Sequence, residues 1–455
     1  MKLKMKKILL IAILIIPLLS GCKKDPDPDP VEGPTLAERA RDGLYELMQV
    51  MYLWNNQMPT VKVSDYDGPE ELLEALRYRP KDKYSFIMTF EAFLAYMQGS
   101  VQGIHGITLS LDTANVVRIL SIYKNSDLWP KGVRRGWIVK KVNGTDLAPL
   151  FINAATTGNW SAYDNLMGAN TIGLTNTFLF QKPDGTEVTY SSTKASFTVN
   201  SVTAYDVIDL PSGKTGYLCF DSFIDPSIDE LNEAFAFFKA NNVTDLIIDL
   251  RYNGGGDLAV AQHLSSLVMD KADTTKICVK LNYNSTVSAE WNESYNFIKT
   301  DNPLGLDRTV FITSRSTASA SEVVINSLKP YVSVSIVGDT TYGKPVGMNA
   351  FGFPFPTNRV PEPDYKYVFL PITFEFVNAS DEGGFYDGML PDVLANDDIT
   401  RDFGDPEELS LKAAIAILEG TKAASVVPLR RNIIRGEGEP LPDFLYVAPQ
   451  KSFSK

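Results

Sequence analysis

Apolar residues first recur at helical spacing at Leu36, Ala40, Leu44, Leu47 and Met51, behind a Thr35/Glu38 capping-box pattern, so a helix is expected to start there. The stretch DGPEELLEAL predicts a second helix, with Pro69 in its first turn and acids where the helix dipole favours them. From Val101 the texture changes to short β-type runs at 116–123, 136–144 and 177–190, the last broken by an Asp-Gly hairpin signal. After Leu210 strand-like and helix-like runs alternate: TGYLCF, SIDELNEAFAFFKANN, TDLIIDLRY, DLAVAQHLSSLVM, TVFITS, SASEVVINSLKP and VSVSIVGD. Such alternation predicts a layered α/β domain with parallel pairing at its heart. A last helix is expected over PEELSLKAAIAILEG, ending near Gly420. The chain therefore reads as multidomain α/β: a small helical segment over 35–98, a β-rich domain over 99–200, a layered α/β domain over 201–425 and a peripheral tail over 426–455.

A length of 455 residues suits several domains rather than one core. With 43 basic against 55 acidic residues the net charge is −12, which opposes any broad affinity for a polyphosphate backbone and excludes nucleic acid as an expected partner. The N-terminus carries lysines, then an apolar run from Ile8 to Leu19, then small residues leading to Cys22. That order is an export signal over 1–21, and the 12-residue run is too short for a span, which takes about 20 residues. Leu19-Ser20-Gly21-Cys22 resembles the lipobox of bacterial lipoproteins, which implies acylation at Cys22 and a membrane anchor at the cell envelope. The Asp/Pro run within 22–34 cannot form helix and reads as an extended spacer. Cys219 and Cys278 sit in apolar strand-like runs and are expected to be free thiols.

The stretch RSTASASEVV, residues 315–324, crowds small hydroxyl residues at a helix entrance, where they serve either as an elaborate N-cap or as the seat of a nucleophile. A nucleophilic serine needs a base and donors for the oxyanion. The chain has only two histidines; His105 lies in a loop of the β-rich domain and His263 among apolar neighbours, so a Ser-His-Asp triad is poorly supported. Lys344, in DTTYGKPVGMN, is the alternative base. Acting near neutrality requires its pKa to fall by about three units from about 10.4, which burial can supply.

The order strand, STASASE, helix, strand, GK resembles the C-terminal processing (tail-specific) peptidases, whose nucleophilic serine lies three before a glutamate and 25 before the lysine of a serine–lysine dyad. The resemblance selects Ser319, with Glu322 in support, and Lys344, and it implies a crotonase/ClpP-like layered protease core. It also implies that Gly254 or Gly255 of IIDLRYNGGGD, with the N–H of Ala320, forms the oxyanion hole. Ser316 and Ser321 are expected to serve helix entry and local hydrogen bonding. GIHGITL followed by GVRRGWIVKKVNGTDL resembles a PDZ domain, which takes up a peptide terminus as an added strand. One departure stands out: many relatives place a glutamine four residues after the lysine, where this chain has Met348, and Asn349 is one step off. The expected function is an envelope-anchored serine endopeptidase acting on polypeptide tails, with neither cofactor nor metal. A catalytically weak or silent peptide-binding lipoprotein, and crotonase-like acyl-thioester chemistry on the same core, are the alternatives.

Overall fold

The computed structural model describes residues 33–270, 273–355 and 364–421, with the backbone of two short strands, Ile434–Arg435 and Val447–Ala448. Cys22 and its lipobox, and most of the 426–455 tail, lie outside the described residues. No helix among the described residues is long and apolar enough to cross a membrane.

The first helix, Leu36–Met51, is closed by the expected capping box: the Thr35 N–H donates to Glu38 at 2.7 Å and the Glu38 N–H to Thr35 Oγ1 at 3.2 Å. It packs on the second, Pro69–Leu76, but this pair is not a separate body. Leu44, Leu47, Leu72 and Leu76 belong to the same buried cluster as Phe235, Phe311 and Phe374 further along the chain. The segment then enters a strand, Phe86–Thr89, antiparallel to Tyr367–Leu370, so its end is stitched into the α/β domain by backbone hydrogen bonds.

That domain is built on a six-stranded sheet in the order Val202–Leu210, Gly213–Phe220, Asp245–Asp249, Arg308–Thr313, Ser333–Gly338, Val393–Leu394. Only the first pair is antiparallel; the other four pairings are parallel, as the alternation of elements predicted. Strand Asp245–Asp249 is buried along its whole length because both faces are covered. Leu246 and Ile248 turn towards helices Ser227–Ala240, Leu258–Val268 and Ala320–Leu328, while Ile247 turns towards helix Leu409–Leu418.

A second, antiparallel sheet was not expected from sequence: Glu293–Asn296, Ile277–Tyr283, Ile372–Val377 and Val346–Asn349 lie side by side. Helix Ala320–Leu328 packs between the two sheets, which is why every one of its residues is buried.

The β-rich domain has its own core, including Ile119, Val139, Phe151, Phe178 and Phe180. Its antiparallel sheet contains Ile107–Leu111, Val117–Ile122, Ile138–Val142, Thr175–Gln181 and Glu187–Thr193, the last two forming the hairpin that Asp184-Gly185 signals. Helices Leu147–Thr157 and Ser161–Met167 complete it. Arg135 leaves this domain and enters the α/β domain, bonding Asp397 at 2.5 Å and the Tyr252 hydroxyl at 3.2 Å. Asp397 also accepts from Arg251, whose guanidinium meets Asp249 and Glu408 as well, so the charges are mutually satisfied away from water.

Removing one member of such a buried set leaves the others uncompensated. Arg251→Leu is expected to cost about 3–5 kcal/mol in chemical unfolding, far more than an exposed pair such as Lys62–Asp65. A loss below about 1 kcal/mol would contradict this reading of the cluster.

Candidate active site

Strand Arg308–Thr313 ends in a turn that is sewn to the end of strand Asp245–Asp249. Thr317 Oγ1 donates to the Leu250 carbonyl at 2.7 Å, the Ala318 N–H donates to the Asn253 carbonyl at 3.1 Å, and Ser321 Oγ donates to that same carbonyl at 2.9 Å. Ser319 follows at the N-cap of helix Ala320–Leu328 with φ +57° and ψ −115°, a conformation that costs a residue with a Cβ about 1–3 kcal/mol. Its side chain is fully buried and its Oγ has no hydrogen-bond partner among the described residues. A pure capping serine would have a bonded hydroxyl and relaxed extended backbone. Ser319 has neither.

Lys344 lies in the loop after strand Ser333–Gly338, at the entrance to strand Val346–Asn349 of the second sheet. It is fully buried, and burial holds its pKa down to about 7, with Asp82 and then Glu322 pulling the other way. Gly343 is required beside it: its φ is +89°, and an added Cβ would lie 2.4 Å from the Tyr386 carbonyl oxygen.

Glu322 joins the two loops. Its Oε2 accepts from the Ser319 N–H and from the Lys344 N–H, both at 2.9 Å, while Oε1 accepts from the Gly343 N–H at 2.9 Å and Thr341 Oγ1 at 2.5 Å. The main chains carrying the hydroxyl and the amine are thus held to one oxygen atom, although Ser319 Oγ itself is not hydrogen-bonded to the lysine. Burial raises the pKa of the Glu322 carboxyl, and the four donors lower it.

Of the glycines, Gly255 packs directly on the serine: an added Cβ would sit 2.8 Å from Ser319 Cβ and 3.0 Å from the Ala320 nitrogen, at φ +107°. Its N–H donates to Asn253 Oδ1 at 2.9 Å. Gly254 precedes it in the same loop, and Ala320 is the first helical residue after the serine. Met348 is fully buried in strand Val346–Asn349 and offers Lys344 no hydrogen bond of the amide kind. Asn349 is engaged elsewhere, its Oδ1 accepting from Tyr283 Oη at 3.1 Å and Thr373 Oγ1 at 2.8 Å.

Both histidines bond to partners outside this arrangement. His105 is buried in the β-rich domain against Ser192 and Asn176, where burial lowers its pKa to about 4, and His263 bonds Asn232 at 2.8 Å. No cluster of metal-ligating side chains occurs among the described residues, and Cys219 and Cys278 are buried free thiols.

Residues 214–369 match the model of Peptidase family S41, and residues 39–86 match that of the Peptidase S41 N-terminal domain. Over these two segments, less than half of its length, the chain is similar to peptidase family S41. The S41 match runs from the first parallel strand through Ser319 and Lys344 to the strand that pairs with Phe86–Thr89. Among curated proteins the chain is 29% identical over 133 residues to the chloroplastic carboxyl-terminal-processing peptidase 2 of Arabidopsis thaliana, covering 29% of this chain and 24% of that one. It is 23% identical over 296 residues to the chloroplastic C-terminal processing peptidase of Tetradesmus obliquus, covering 62% and 60% respectively. The chain thus spans less than two thirds of the length of these S41 relatives. A solved S41 protease candidate from Bacteroides fragilis shares the fold, with a TM-score of 0.64 and 22% identity over 86% of this chain and 99% of that one.

Sequence reasoning missed Thr341, Tyr84 and Asp82. Thr341 had a local signal, a hydroxyl residue three before the lysine; the other two lie about 260 residues from it and carry none.

Burying Lys344 opposes folding, which yields a prediction with a definite sign. The unfolded lysine keeps its proton up to about pH 10.5 and the folded one loses it at about 7, so stability rises with pH between those values. Lys344→Met is expected to stabilise the fold by roughly 3–5 kcal/mol at or below pH 7, with the advantage shrinking towards pH 10. Equal urea midpoints for the two proteins at pH 6 would contradict the burial argument.

Proposed function

We propose that this protein is a serine endopeptidase in which Ser319 and Lys344 form a catalytic dyad. The observation that carries the proposal is the pairing of a strained, buried, unbonded serine hydroxyl with a lysine held near neutrality, both anchored to Glu322. Neutral Lys344 Nζ takes the proton from Ser319 Oγ as that oxygen attacks the scissile carbonyl. The oxyanion is received by backbone N–H groups of Ala320 and of the Gly254-Gly255 loop, at a helix N-terminus whose dipole favours negative charge. The same Nζ returns the proton to the departing amine, and water attacks the acyl-enzyme by the reverse route. Since Gly255 already donates to Asn253, Gly254 is the donor that needs no rearrangement.

The substrates are proposed to be polypeptide tails captured by the β-rich domain acting as a PDZ module. Its strand Ile107–Leu111 carries an added antiparallel strand, Ile434–Arg435 of the chain itself, and this supports strand addition as the mode of capture. A cavity of about 670 Å³ lies between Asp112, just after that strand, and the Ser314–Ser316 turn that precedes Ser319, which supports a passage for a captured tail between the β-rich domain and the serine turn. Anchoring through a lipidated Cys22 at the cell envelope completes the proposal. Complete burial of Ser319 makes this a closed arrangement that substrate must open.

The soluble form lacking residues 1–30 is expected to cleave an unfolded protein such as casein, with a rate that rises with pH through about 7 as Lys344 deprotonates. Ser319→Ala and Lys344→Ala are each expected to lose at least about 10³-fold in kcat while still binding peptide. Binding without cleavage by the wild type would instead favour the silent peptide-binding reading, and cleavage that survives Lys344→Ala would remove the dyad.

A further inference from the structure

Met348 cannot orient Lys344 as an amide side chain would, yet the lysine has a neighbour with that capacity. The loop Asp82-Lys83-Tyr84-Ser85, between the second N-terminal helix and strand Phe86–Thr89, lies against it. Tyr84 Oη donates to the Gly343 carbonyl at 2.6 Å, fixing the peptide group from which Lys344 springs, and Lys344 Nζ sits 5.6 Å from the centre of the Tyr84 ring. Asp82 is buried, and its carboxylate accepts four hydrogen bonds: from the Tyr84 and Ser85 N–H groups at 2.9 Å, from Ser85 Oγ at 2.6 Å and from Tyr52 Oη at 2.7 Å. Ser85 Oγ in turn accepts from the Ile372 N–H at 2.9 Å, and Ile372 is the register partner of Met348. The loop is therefore pinned at one side to the lysine strand's neighbour and at the other to the lysine's own peptide.

We propose that Asp82 and Tyr84 are positioning residues for Lys344, supplying from the N-terminal segment the orientation that Met348 cannot. The proposal rests on the serine–lysine reading above and deepens it. Such a carboxylate needs no direct contact with Ser319; its work is to hold the loop that sets Tyr84 against the lysine and, through its charge, to keep the amine's basicity from collapsing in an apolar site. The charged and titratable groups around Lys344 include Asp82, Lys83 and Tyr84 from the N-terminal loop, Glu322 from the serine helix, Tyr342 from its own loop and Tyr386 from the loop that packs on Gly343; Lys83 Nζ lies 4.3 Å from the centre of the Tyr342 ring and 5.4 Å from that of Tyr84. Only two of these are carboxylates, and Glu322 is engaged with main-chain donors on both loops. Asp82 is therefore the acid free of any duty towards the serine.

The test is the rate at which a fluorophosphonate labels the hydroxyl of Ser319 in the full chain, followed across pH 5–10, a readout independent of the natural substrate. Loss of the Asp82 charge lowers the lysine pKa, so Asp82→Asn is expected to move the midpoint of the rise in labelling down by about one pH unit and to reduce its plateau about tenfold. Tyr84→Phe deletes one hydroxyl and is expected to reduce the plateau about tenfold with the midpoint in place. Asp82→Glu, which keeps the charge, is expected to recover the wild-type midpoint. A wild-type midpoint and plateau in Asp82→Asn overturns the role of Asp82, and should that variant not fold, a wild-type plateau in Tyr84→Phe overturns the proposal. Labelling that does not depend on Lys344, tested with Lys344→Ala, or that is absent from the wild type, overturns the dyad itself.

Discussion

A single buried carboxylate sets the geometry on which the rest of this site depends. Among the described residues the Glu322 carboxylate accepts from three main-chain N–H groups and one threonine hydroxyl, drawn from two loops that leave different strands of the parallel sheet. Burying a carboxylate is favourable only when its lone pairs are met, so the loops cannot drift apart without exposing an unmet charge in the interior. Ser319 and Lys344 are brought together in this indirect way, through their backbones.

The arrangement carries two destabilising features in one small volume, a serine in a strained backbone conformation and a lysine forced towards its neutral form. Both persist because the surroundings over-determine them. Helix Ala320–Leu328 is enclosed between two sheets, Gly255 packs on the serine, and the 384–392 loop packs on Gly343. The N-terminal helices take part as well, since their apolar faces belong to the same core and their terminal strand pairs with Tyr367–Leu370.

How much was legible in sequence followed from how local each signal was. The parallel strands were readable because burial on both faces makes them short continuous apolar runs, as in Asp245–Asp249, and the helices between them because of their period. Ser319, Glu322 and Lys344 were singled out by the resemblance of their motif to that of the C-terminal processing peptidases, and the structure ties their backbones together through Glu322. The antiparallel sheet was not, because Ile277–Tyr283 and Ile372–Val377 pair across about 95 residues with no turn between them to announce it. Tyr84 and Asp82 were hidden for the same reason, and the N-terminal segment read as a separate helical unit although its core is shared. Gly255 illustrates a finer limit: a glycine triplet announces close backbone approach, but not that one of its N–H groups is engaged by Asn253.

The measurement that bears most directly on this account is amide hydrogen exchange at Ser319, Gly343 and Lys344 in the wild type and in Glu322→Ala. If one carboxylate holds both loops, the three amides are protected in the wild type and lose that protection together in the variant, while amides of strand Arg308–Thr313 remain protected. Continued protection of all three without Glu322, or loss at Ser319 alone, would contradict the claim that this side chain is what couples the Ser319 and Lys344 loops.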